Sequence, residues 1–196
     1  MARKRIYEER KLQILKALNT CLQEKSFEKT SIKDIARQAG VNHGVLHYYF
    51  SSKEEILLSY IDYVIVDYQS QMDEWLGEKD ISKYSKKEFM EEVFAFINNR
   101  ITLNREVSRI FVEIWEIALY HEAVRDKLLE AYTRWIDELS ANLGIHVADE
   151  AFVRQLSIAM VAFWEGMSLF STIFRPGSVD IEEILKGFQR RILDII

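Results

Sequence analysis

The chain has one cysteine, one proline and seven glycines among 196 residues. The lone Cys21 excludes an internal disulfide and any site built from several cysteines. It sits in an apolar helical pattern and reads as buried filler rather than a reactive thiol. A single proline, Pro176, and so few glycines leave long stretches with nothing to interrupt a helix. No run of about 20 apolar residues occurs, which argues against a membrane span. The basic start MARKRIYEERK is followed by no apolar signal segment, so the expected location is the cytoplasm. Histidine occurs only at 43, 47, 121 and 146, and only His43 and His47 share a helical spacing. There is no Gly-rich phosphate loop, nucleophile elbow or Cys/His arrangement. Glu91-Glu92 and Glu182-Glu183 fit solvated helix faces. Hence neither catalysis, a resident metal nor a cofactor is expected.

What is present is apolar and helix-forming. Hydrophobic residues make up 48% and aromatics 12%, enough for a large core. Ala, Leu, Glu, Lys and Ile are frequent, which with the scarcity of breakers predicts an all-α protein. The net charge of −5 is unevenly spread. Residues 1–53 carry +6 and residues 54–196 carry −11. A basic end suits phosphate neutralisation, and an acidic body would be turned away from the same polyanion.

About nine helices are expected. The first covers 7–25, where Leu12, Ile14, Leu15, Leu18, Cys21 and Leu22 mark one buried face. Ser31 and Asp34 have the spacing of a capping box for a second helix. Gly40 ends that helix in a positive-φ turn. Asn42 can cap a third helix running to about Phe50. Ser51 or Ser52 opens a fourth, to about Leu76, and Gly77 to Ser85 is a polar break. Five more follow over 86–103, 105–119, 122–142, 149–174 and 179–195, with turns at Gly144 and at Pro176-Gly177. Two domains are expected, a DNA-binding domain over 1–52 and a helical body for effector binding and dimerisation over 53–196.

The stretch TSIKDIARQAGVNHGVLHYYFSSK, Thr30 to Lys53, reads as two short helices joined by a tight turn. That is a helix-turn-helix, which lays its second helix in the DNA major groove. The pattern Ser31-Ile32, Ile35-Ala36, Ala39-Gly40-Val41, then Leu46-His47-Tyr48-Tyr49-Phe50, Lys53-Glu54 and Ile56 resembles the TetR family of bacterial regulators. The motif covers about an eighth of the chain. The resemblance implies a three-helix DNA-binding domain ahead of a larger helical body. It also implies a homodimeric repressor, released from a palindromic double-stranded operator by a small molecule. Two other readings stay open: a DNA-binding protein of the same fold without an effector, as in nucleoid association or division control, and an activator.

Candidate DNA contacts are Thr30, Ser31, Lys33, Asn42, His43, Gly44, Val45, His47, Tyr48 and Lys53. Thr30 and Ser31 can donate hydroxyls to phosphate or cap the helix. Gly44, costly inside a helix, reads as a point of close approach to DNA. Lys53 reads as a phosphate clamp or a solvated lysine. No Lys or Arg lies between Val41 and Ser52, so His43 and His47, four apart on one face, are the titratable groups there. Arg3-Lys4-Arg5 could form a minor-groove arm or a solubilising tail.

In the body, Phe96, Phe111, Trp115, Phe163, Trp164 and Glu165 are candidate effector contacts, in a pocket that is mostly apolar with a few polar groups. Glu165, between Trp164 and Gly166, could balance a cationic ligand with aromatic help. A role at the dimer interface, or in holding a backbone group, is the alternative. The effector is accordingly expected to be apolar or cationic. Residues 152–174 are apolar on nearly all sides, and Ile181, Ile184, Leu185, Phe188, Ile192, Leu193 and Ile196 give the last helix a continuous apolar face. A homodimer through residues 150–196, as a four-helix bundle, is expected.

Overall fold

The computed structural model of the chain describes residues 2–144, 149–175 and 177–195. Among them are nine α-helices and no strand. The helices are α1 (Ala2–Glu24), α2 (Ile32–Gln38), α3 (His43–Tyr49), α4 (Lys53–Gly77), α5 (Lys86–Ile97), α6 (Arg105–Tyr120), α7 (Glu122–Gly144), α8 (Glu150–Ile173) and α9 (Ile181–Leu193). A 3₁₀ turn over Ile81–Lys83 interrupts the polar break, and a π turn over Asn98–Thr102 follows α5.

Local chemistry sets most boundaries. Ser31 caps α2 in a full capping box with Asp34, and Asn42 caps α3 by accepting from the Val45 N–H. The Ser52 hydroxyl accepts from the Glu55 N–H at the start of α4. Ser85 with Glu88, Asp149 and Asp180 cap α5, α8 and α9. Gly40 takes φ 64°, the left-handed turn that releases the chain from α2. Gly177 has φ 83°; Pro176, its partner in the expected turn, lies outside the described residues, as does Ile196 of the last apolar face.

Two expectations change. α1 begins at Ala2, so Arg3-Lys4-Arg5 is helical backbone rather than an extended arm. No breaker separates it from the rest of α1, and Arg5 pairs with Glu9 one turn on. The helix expected over 86–103 is split: the Leu103 N–H donates to the Asn98 carbonyl at 2.8 Å, the five-residue step of a π turn.

Packing divides the chain into two compact units, a division that does not fall at residue 52. The first comprises residues 1–74 with 113–127, and the second 75–112 with 128–196. In the first, Ile14, Leu18, Ile35, Leu46, Phe50, Ile56 and Tyr60 are fully buried. The Gln13 side chain ties α1 to the end of α2 through the Ala39 carbonyl at 2.6 Å, and the Tyr60 hydroxyl donates to Asn19 at 2.6 Å. The core of the second unit gathers Met90, Phe94, Leu143, Met160, Trp164, Met167 and Leu185. α8 is the described helix long and apolar enough by length and composition to cross a membrane, with 33% of its most apolar window buried inside the chain. It buries Val153, Ser157, Met160, Trp164, Met167, Ser168 and Ser171 along one face. Phe152, Ile158, Phe170 and Ile173 stay exposed on the remainder.

Candidate nucleic-acid interface and effector site

α3 is short and held from beneath. Leu46 and Phe50 are 0% and 1% exposed, which anchors one side of the helix in the core. Asn42, His43, Gly44, Val45, His47 and Tyr48 are exposed. The His43 and His47 rings meet edge to face, centroids 4.5 Å apart. Tyr48 packs edge-on against Tyr49 and Tyr7, and Tyr49 lies 5.0 Å from Tyr7, so α1 braces the end of α3. A β-carbon added to Gly44 would meet only Asn42 Oδ1, at an ordinary 3.5 Å. Nothing inside the chain therefore requires glycine there.

The flanking candidates divide. Lys33 is exposed on α2. The exposed Ser31 hydroxyl donates to Asp34 at 2.7 Å and accepts from the Asp34 N–H. Hydrogen bonds from Lys25 and Ser31 hold the Asp34 carboxyl well below the usual carboxylate range, and Arg37 adds a further ion pair. Thr30 is corrected. It is 1% exposed and its hydroxyl donates to the Ser26 carbonyl at 2.9 Å, so it closes the turn after α1 instead of facing a phosphate.

Lys53 also has partners within the chain. Its ammonium donates to the Phe27 carbonyl at 2.6 Å and stands 4.1 Å from the Phe27 ring, and burial lowers its pKa. The Phe27 N–H in turn donates to the Glu113 carboxylate. His121 pairs with Glu54 at 3.1 Å, and Lys127 pairs with Asp62. The corner where α6 meets α7 thus grips the turn behind α2 and the first turns of α4.

In the second unit the effector candidates fall into separate aromatic contacts. Phe96 packs on Trp75 at 4.9 Å, Phe163 stacks on Phe188 of α9 at 3.9 Å, and Trp164 meets Phe94 at 5.7 Å. Phe111 meets Trp135, Trp135 meets Tyr132 edge-on at 5.4 Å, and the Tyr132 hydroxyl donates to Glu165 at 3.0 Å. Phe111 and Glu165 are therefore joined through two residues of α7 outside the predicted set. Trp115 belongs to the first unit and is half-buried there. Burial pushes the Glu165 carboxyl up to about 7 against the lowering effect of Tyr132. Among the described residues no basic side chain pairs with it.

Comparison with known proteins bears on the same segment. Residues 14–60, from the middle of α1 through the first two turns of α4, match the model of bacterial regulatory proteins, tetR family. The chain is similar to the uncharacterised HTH-type transcriptional regulator YerO of Bacillus subtilis, 26% identical over 70% of this chain. That match spans 52% of the relative, so the chain covers about half the length of this curated relative. Among solved structures it is similar to FadR from Bacillus subtilis in complex with stearoyl-CoA, with a TM-score of 0.70 and 20% identity, over 94% of this chain and 98% of that one. A transcriptional regulator from Saccharomonospora viridis in complex with choline gives 0.74 and 16%, over 95% and 96%. At these identities the likeness is one of fold.

The matched residues include the whole helix-turn-helix, α2 and α3. Contacts between Tyr7 and α3 had no periodic signal beyond an aromatic on an exposed helix turn. The α6–α7 corner had none, because its partners lie 65 to 86 residues away.

Proposed function

We propose that the protein is a ligand-responsive transcriptional repressor that binds a palindromic operator as a homodimer and leaves it when a small molecule enters the body. The observation that carries this reading is α3 itself. Its buried side is fixed by Leu46 and Phe50, while Asn42, His43, Gly44, Val45, His47 and Tyr48 project outward together. Such a helix fits a major groove, with Ser31 and Lys33 of α2 near the backbone. A cytoplasmic location follows from that task.

Dimerisation is supported by apolar side chains left exposed on two successive helices: Phe152, Ile158, Phe170 and Ile173 on α8, and Ile184 on α9. An unpartnered apolar face on α8 and α9 fits a four-helix bundle with a second copy. Two copies of α3 would then address half-sites about 34–36 Å apart.

The effector reading rests on Glu165, a carboxyl with Tyr132 beside it and aromatic rings beyond. An apolar or cationic ligand suits that setting. α4, α6 and α7 each continue from one unit into the other, so a ligand that moves their ends in the second unit acts on α4 as a lever. A few kcal/mol of differential affinity is enough to empty an operator.

The test is to select genomic fragments bound by the full chain, measure the mass of the complex, and challenge it with small molecules. Bound fragments should carry inverted repeats, and free protein should run at twice 23.2 kDa. A monomer on direct repeats would refute the homodimer. Release by no compound class would favour control without an effector.

A further inference from the structure

The π turn and α8 face each other with polar atoms that lack partners. Asn98 is 7% exposed, Thr102 0% and Trp164 7%. Asn98 Oδ1, Thr102 Oγ1 and Trp164 Nε1 have no hydrogen-bond partner among the described residues. Buried side-chain polar atoms are nearly always paired, so three along one helix–helix seam ask for an explanation.

Their alignment is regular. Phe94, Asn98 and Thr102 succeed one another every four residues through α5 and the π turn. Trp164, Ser168 and Ser171 lie on one buried face of α8. At one end of the seam Trp164 meets Phe94. At the other, Ser108 of α6 donates to the Thr102 carbonyl at 3.4 Å and accepts from Ser168 at 2.6 Å. Asn98 stands between the two ends.

The chemistry of the three atoms restricts what can satisfy them. Trp164 Nε1 only donates and Asn98 Oδ1 only accepts, while the Thr102 hydroxyl does either. A partner must accept and donate at once, as a hydroxyl or a carboxamide does. No buried residue of the seam is charged, and Arg100 of the π turn is exposed, so a buried carboxylate, phosphate or ammonium would have no counter-charge beside it. Phe94, Met160 and Met167 supply apolar surroundings.

We infer that the seam between the π turn and α8 is the polar anchor of the effector site, taking a neutral molecule with an apolar body and one hydroxyl or carboxamide. This rests on the effector-controlled reading above and names the ligand class for it. Entry of the ligand requires α8 to part from the π turn, where Trp164 meets Phe94.

The experiment titrates the full-length protein with four probes of matched chain length: n-decanol, decanamide, decanoate and decyltrimethylammonium. Calorimetry and thermal shift are the readouts. The two neutral probes should bind at least about ten-fold more tightly than the two charged ones. Thr102→Val keeps the shape of the side chain and removes an unpaired hydroxyl, so it should fold with a raised Tm. It should lose that preference for the neutral probes while leaving decyltrimethylammonium unaffected. A raised Tm with unchanged decanol affinity would overturn the proposal, leaving the seam a structural defect or a site for buried water. Preference for decyltrimethylammonium, abolished by Glu165→Gln, would also overturn it while leaving effector control intact. Binding of none of the four would overturn it as well, and effector control would then be judged by the operator-release challenge alone.

Discussion

The Tyr132 hydroxyl donates to Glu165 Oε1 at 3.0 Å across α7 and α8, and that is the polar contact a half-buried carboxyl receives there. One hydrogen bond does not offset the loss of water, so the carboxyl titrates near 7 instead of 4.5. Below 4.5 the group is protonated in both folded and unfolded chains and stability is unaffected. Between 4.5 and about 7 the folded chain holds the proton that the unfolded chain has lost. Stability therefore falls as pH rises through that window and is flat above it. The cost at pH 8 is about 3 kcal/mol. Glu165→Gln should remove most of it, so the Tm difference between variant and wild type should grow from pH 5 to pH 8. A constant difference would mean that the carboxyl is already solvated.

The edge-to-face contact of His43 and His47 puts two imidazole rings side by side on the exposed side of α3. If that side meets DNA, the double variant His43→Ala, His47→Ala should weaken operator binding several-fold while leaving the fold intact. Fluorescence anisotropy on one operator fragment measures it, and unchanged affinity would take both rings out of the interface.

Gly44 separates stability from binding. Since a β-carbon fits against Asn42 Oδ1 without displacing anything, Gly44→Ala should stabilise the chain by up to about 1 kcal/mol. If the exposed face approaches DNA closely, the same change should weaken operator binding several-fold. Improved stability with unaltered affinity would take Gly44 out of the interface.

Lys53 supports the fold from inside the first unit. Lys53→Met should lower stability by about 1–2 kcal/mol, since the Phe27 carbonyl loses its donor and the Phe27 ring its cation. The salt slope of DNA binding should not change, because an ammonium held by that carbonyl releases no counterion from DNA. A slope smaller by about one would restore the phosphate-clamp reading.

Ile158 and Ile184 test the exposed apolar face. Both are partly open to solvent, so Ile158→Asp with Ile184→Asp should leave the subunit folded. It should yield monomers of 23.2 kDa by light scattering, with operator binding lost. A dimer that survives both charges would place its interface elsewhere.

How much of this was legible in the sequence follows from the range of each interaction. Ser31 with Asp34 and Asn42 with Val45 act over three residues, and Gly40 acts on its own backbone, so the helix-turn-helix could be read from its residues in order. The same locality gave the other helix positions to within a few residues, except the start of α1. The π turn escaped because Asn98–Thr102 contains no glycine or proline to mark a break in the helix.

The sequence by itself determined an all-α chain, the place and capping of α3, and which of its side chains face outward, because those depend on neighbours within one or two turns. Only the tertiary structure decided which polar groups were already engaged. Thr30 turned to Ser26, Lys53 to Phe27, and Glu165 found Tyr132 at 33 residues' distance. Asn98, Thr102 and Trp164 were left without partners. A side chain's residue type states what it can bond; only packing brings a distant partner within about 3 Å or keeps water away from it.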